Sequence, residues 1–171
     1  MKQTNFYSAV LAAIVAGLLL STGCEEMEIP YGKLPAAARA FIEHYFPTET
    51  CVYAERDRDD GQREYEVRLS NGTEIQFNGS GDWKKVDCKY SFLPDGIVPA
   101  VIVADLAVRY PGAGIYKAER ERGGYEISIG NGRKLIYTAD GAFVRESAVT
   151  GLMLYHSMEG ASIYLASDFK G

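Results

Sequence analysis

The sequence predicts an α+β fold. It is a tandem repeat of a helix plus a four-stranded antiparallel meander, joined into one sheet of about eight strands with both helices on one face. Three observations carry this. The chain is internally duplicated, each copy opens with a Pro-led amphipathic segment, and each continues with alternating apolar and polar residues broken by Asn-Gly and Gly turns.

The duplication comes first because it sets every boundary. LPAAARAFIEHYFP (Leu34–Pro47), CVYAER and REYEVRLSNGTEIQFNGSGDWKKVDC form one copy. VPAVIVADLAVRYP (Val98–Pro111), IYKAER and GGYEISIGNGRKLIYTADGAFVRES form the other. The helical segments and first strands match at an offset of 64, and after the AER triplet at 60. Tyr65, Asn71-Gly72, Phe77, Gly81 and Trp83 then match Tyr125, Asn131-Gly132, Tyr137, Gly141 and Phe143.

Pro35 and Pro99 suit the first turn of a helix, where the missing N–H costs nothing. Leu34, Ala38, Phe41, Ile42 and Tyr45 repeat at helical spacing, one stripe for one buried face, and Pro47 ends that helix. In the second helix Val98, Ile102, Leu106 and Tyr110 form the row. Asp105 stands where Phe41 would match, and Val101 and Val103 widen the stripe. The wider stripe predicts a more buried helix, set against its sister.

Tyr65, Val67 and Leu69 alternate with Glu66 and Arg68, and Tyr125, Ile127 and Ile129 repeat the pattern, so one sheet face is buried and the other wet. Asn71-Gly72 and Asn131-Gly132 predict two-residue hairpins with positive φ at both positions. Ile75 and Phe77, then Leu135 and Tyr137, continue the buried face, and Gly81 and Gly141 turn into a fourth strand.

At the N-terminus a short start with one Lys precedes a 12-residue apolar run, Ala9–Leu20. That is the pattern of a signal peptide, and it falls short of the roughly 20 apolar residues of a membrane span. Ser21-Thr22-Gly23-Cys24 follows it and resembles the bacterial lipobox, with Ser21 in place of the usual Leu. The resemblance implies a lipid on Cys24; the alternative is an ordinary secreted chain whose Cys24 is discarded. Glu25, Glu26 and Glu28 resemble a surface-export signal or serve as a solvated tether. The resulting division is 1–23 signal peptide, 24–33 tether, 34–92 first copy, 93–150 second copy, and 151–171 a C-terminal extension without an assigned layout. Within the extension, Leu152–Tyr155 and Ile163–Leu165 are apolar.

The net charge of −5 becomes −6 once residues 1–23 and their single Lys are removed. An acidic chain of this kind argues against a nucleic-acid partner and against unaided binding to anionic lipid. Membrane contact is therefore expected through the anchor alone. The chain has two histidines, His44 and His156, and no metalloprotease, nucleophile-elbow or phosphate-loop motif. His44 lies off the apolar stripe and reads as a surface residue. No enzyme, cofactor or metal centre is expected. Asp57, Asp59, Asp60 and Gly61 miss the calcium-loop spacing, because Gly61 takes a ligand position; Asp60-Gly61 is read as a turn. Cys51 opens the first strand of its meander and Cys88 ends the fourth, about three strand spacings or 14 Å apart, too far for a disulfide.

The ordered unit of LP-helix-(F/Y)P, Tyr-rich strand, NG hairpin and G-x-W strand resembles the PepSY-like, beta-lactamase-inhibitor-like lipoproteins of the Bacteroides group. The resemblance covers about Leu34 to Val149. It implies one concave sheet outside the cytoplasm, in the periplasm or at the cell surface on the outer membrane, and a role in protein binding or inhibition. By alternation Tyr53, Glu55, Glu66, Arg68, Glu74 and Gln76 point to the open face in the first copy. Lys117, Glu119, Glu126, Ser128, Lys134 and Ile136 do so in the second. Tyr53, Glu55, Arg68, Trp83, Lys117, Glu119, Lys134 and Ile136 are the candidate contacts with a protein partner, Trp83 being assignable to either face. The alternative is a small-ligand or calcium-binding envelope protein.

Overall fold

The structure, a computed structural model, describes residues 27–148 apart from 60 and 122. In chain order it has β1 (Met27–Glu28), a 3-10 turn (Tyr31–Lys33), α1 (Ala36–Tyr45), β2 (Cys51–Asp59), β3 (Gln62–Leu69), β4 (Glu74–Asn78) and β5 (Trp83–Asp87). There follow α2 (Ala100–Arg109), β6 (Ile115–Glu121), β7 (Gly124–Ile129), β8 (Arg133–Thr138) and β9 (Phe143–Ala148). All nine strands lie in one antiparallel sheet in sequence order.

The alternation in the sequence becomes one continuous buried row. Ala54, Val67, Ile75, Val86, Ala118, Ile127 and Leu135 are in register across β2 to β8, each no more than 3% exposed. Ala38 and Ile42 of α1 and Ile102 and Leu106 of α2 join that core, so both helices cover the same face. The row crosses from β5 to β6 without a break: Lys85, Val86 and Asp87 pair with Glu119, Ala118 and Lys117.

β1 is the strand the sequence reading omits. Met27 and Glu28 pair with Arg56 and Glu55, inside the stretch read as tether. Two residues carry no period, so only the free edge of β2 reveals them. The hairpins also differ from expectation. Gly72 N–H donates to the Leu69 carbonyl and Leu69 N–H to Thr73, at 2.9 Å each, so the loop is the three residues 70–72. Ile129 pairs with Arg133 around the matching loop, 130–132. Such a loop needs positive φ only at its last residue, here Gly72 and Gly132. Each Asn acts instead through its side chain, whose Oδ1 accepts from the N–H two residues on.

The second helix corrects the expectation of deeper burial. Val101 and Val103 are exposed, as is Val108. The substitution at Asp105 has a packing reason. In the first half Phe41 meets Phe77 edge-to-face, with ring centroids 5.7 Å apart. The residue matched to Phe77 is Tyr137, 1% exposed, and a buried hydroxyl needs a partner. Asp105, at the place of Phe41, accepts from Tyr137 Oη at 2.9 Å and from Arg109 Nε at 2.6 Å. Burial, then the Asp105 carboxylate, push the Tyr137 hydroxyl well above the ordinary phenol range. The Arg109 hydrogen bond in turn holds Asp105 below the usual carboxylate range.

Cys51 and Cys88 are both free. Cys51 is on β2 and Cys88 follows β5, with β3 and β4 between them, in the order the meander reading requires.

Candidate functional site

The face opposite the helices is built from two in-register rows. Tyr53, Arg68, Glu74, Asp87, Lys117, Ser128, Lys134 and Ser147 form one. Glu28, Glu55, Glu66, Gln76, Lys85, Glu119, Glu126, Ile136 and Arg145 form the other. Strand period two places them there, because from β2 to β8 each lies one residue from a buried one. Seven of the eight sequence-selected candidates fall on this face: Tyr53, Glu55, Arg68, Lys117, Glu119, Lys134 and Ile136. Trp83 does not. It pairs with Phe77, is 6% exposed, and packs its ring near Phe41 and under the Arg120 guanidinium, 4.0 Å from the centroid.

The two halves of the face carry charge differently. In the second, Glu119 and Glu126 stand opposite each other, an arrangement that repels. Lys117 pairs with Glu119 and Lys134 with Glu126, which offsets it. In the first, Glu28, Glu55 and Glu66 stand in line on three neighbouring strands. Glu55 accepts from the neutral Tyr53 hydroxyl, and Glu66 from Gln76 Nε2 at 3.0 Å. Beside them Lys89 bridges Glu74 at 3.0 Å and Asp87 at 3.1 Å. Partial burial works against the Glu74 carboxylate, but Lys89, Arg68 and Lys85 together outweigh it and hold its pKa below the ordinary value. The face is therefore more acidic toward β1 and better balanced toward β9.

Two residues of this region escape the alternation. β2 and β6 each carry a bulge, between Cys51 and Tyr53 and between Ile115 and Lys117. The extra residue in each, Val52 or Tyr116, breaks the period. Val52 is 59% exposed. Tyr116 is buried yet outside the helix-covered core; burial raises its hydroxyl pKa, and Ser128, Asp87, Lys117 and Lys134 act on it from the open face. It packs where Ser128 and Asp87 are themselves 2% and 8% exposed, so the middle of the face is close-packed.

Burial pushes the Cys51 and Cys88 thiols up, the reverse of activation. His44 is exposed on α1 with its ring against Tyr45. Among the described residues no group of three or more His, Cys, Asp or Glu is placed to hold a metal ion, and no helix is long and apolar enough to cross a membrane. Asp60, His156, Cys24 and the whole 151–171 extension lie outside the described residues. A cleft of 430 Å³ lies between the C-terminal end of α1 and β2, lined by Tyr31, Ile42, Phe46 and Cys51 with Glu43 and Glu49 at its sides.

Three solved structures share the architecture. A periplasmic protein of the DUF2874 family from Bacteroides vulgatus is 30% identical over 72% of this chain and 97% of its own, with a TM-score of 0.70. A Bacteroides thetaiotaomicron periplasmic protein, provisionally described as calcium-regulated, is 28% identical over 72% and 97%, at 0.69. A second Bacteroides vulgatus periplasmic protein of unknown function is 31% identical over 71% and 98%, at 0.69. No curated protein matches the chain. The family model described as beta-lactamase-inhibitor-like, PepSY-like matches twice, over residues 19–67 and 63–145, and with it the chain belongs to the PepSY-like family.

Proposed function

We propose that this is a non-enzymatic envelope protein that binds a protein partner, with inhibition as the consequence, through the open face of its sheet. The observation that supports this most is the asymmetry of the sheet: one face is sealed by α1 and α2, and the other presents a graded charge pattern with Tyr53 and Ile136 set into it. Aromatic and apolar residues within a polar surface are what binding interfaces collect. The periplasmic description of the three similar structures supports a location outside the cytoplasm, and we read the lipobox-like start as the signal for a lipid on Cys24. We read its two helix-plus-four-strand halves as products of one duplication.

Capture of partners from envelope extract tests the surface. Tyr53→Ala and Ile136→Arg together should cut capture by about tenfold or more, since central contacts contribute on the order of 1–2 kcal/mol each. An undiminished yield would remove the open face from consideration. The same capture in chelator separates calcium-dependent binding from the direct reading.

The anchor has its own test. Cys24→Ala should move the protein from the membrane fraction to the soluble one. A native protein already soluble, without a lipid mass at its N-terminus, would dismiss lipidation.

A further inference from the structure

α1 and α2 occupy matched positions, yet their outward surfaces differ. Where α1 has Arg39, Glu43 and His44, α2 has Val103, Ala107 and Val108. Val101, Val103 and Val108 are 52%, 43% and 81% exposed, with exposed alanines between them. The outer side of a surface helix is ordinarily polar, as it is on α1. Contiguous apolar exposure marks a surface that something covers.

The position of this surface points to what covers it. Arg109 holds its guanidinium 3.7 Å from the centroid of Phe143 on β9, and Tyr110 hydrogen-bonds Glu146 of the same strand. The C-terminal end of α2 thus lies against β9, which among the described residues is the edge strand beside β8. The chain leaves β9 at Ala148, two residues past Glu146. Leu152 is four residues on, a reach of at most about 14 Å, and Val101 to Val108 spans about 10 Å of helix. Of the 21 residues in 151–171, nine are Leu, Met, Ile, Tyr or Phe and three are charged. That is not the composition of a solvated tail. The first half has no such extension, and its helix has no such valines.

We propose that residues 151–171 cover the outward valine surface of α2. Being on the same chain and departing beside the surface, they meet it at high effective concentration.

The test uses the full mature chain. Chymotrypsin cleavage after Tyr155 and Tyr164, followed by mass, should be slow in the native protein. It should be about tenfold or more faster in Val101→Glu/Val108→Glu, because a charge against the cover favours its opening. His44→Glu on α1 should leave the rate unchanged, and Val108→Ser should shift it in the same direction should the double variant fail to fold. Equal cleavage in native and variant overturns the proposal. So does a variant that turns a sedimenting dimer into a monomer at unchanged cleavage, which would assign the surface to a second copy. Loss of binding to phosphatidylcholine vesicles at unchanged cleavage would assign it to the membrane, and overturn the proposal equally.

Discussion

A chain ended before Leu93 is expected to be far less stable than the whole, by roughly 3 kcal/mol or more, or not to fold cooperatively at all. A unit of about 60 residues buries too little surface to be more than marginal. Here the cut also strips β6 from β5. Val86, fully buried in the intact sheet, stands in register with Ala118 across that seam, and the backbone of β5 would become a raw edge. Urea unfolding of the half and of the mature chain, followed by circular dichroism, gives the comparison. Equal stability of the two would refute a shared core.

Gly124→Ala should cost about 3 kcal/mol, the size expected for severe backbone strain at one buried site. Gly124 has φ +152, and a Cβ added there would sit 1.9 Å from the Tyr137 carbonyl oxygen and 2.8 Å from Thr138 Cα. Those atoms belong to the paired strand β8, so relief requires the β7–β8 ladder to part at its end. Gly123→Ala is the control. A Cβ there meets nothing within 4 Å, and the change should stay within ~0.5 kcal/mol. Thermal or urea melts of the two variants decide it; a Gly124→Ala protein as stable as its control would show that β8 yields without cost.

The Gly124 case also marks how far the sequence reaches. The residue 60 places before it is Glu64, which pairs with Asn78 in the same sheet. No local rule demands glycine at one site and permits glutamate at the other. The demand comes from the φ of +152 that Gly124 adopts and from the β8 backbone that a Cβ would then meet. Asp105 is alike in this. In sequence it is a polar residue interrupting an apolar stripe; beside Tyr137 it is the acceptor a buried hydroxyl requires.

What the sequence alone determined are the features that repeat with a short period. The two helices, the eight strands from β2 to β9, the buried row and most of the open face follow from spacings of 3.6 and 2 residues and from glycine at loop ends. The open-face position of seven candidates was legible for the same reason: a residue one place from a buried strand position must point the other way. The tertiary structure alone decided the rest. Trp83 went to the covered face, because the strand register joins it to Phe77. Val52 and Tyr116 escaped the alternation, since a bulge inserts one residue and destroys the period locally. β1 was too short to have a period, and the exposure of the valines on α2 depends on which neighbours arrive, something no stripe on one helix can encode.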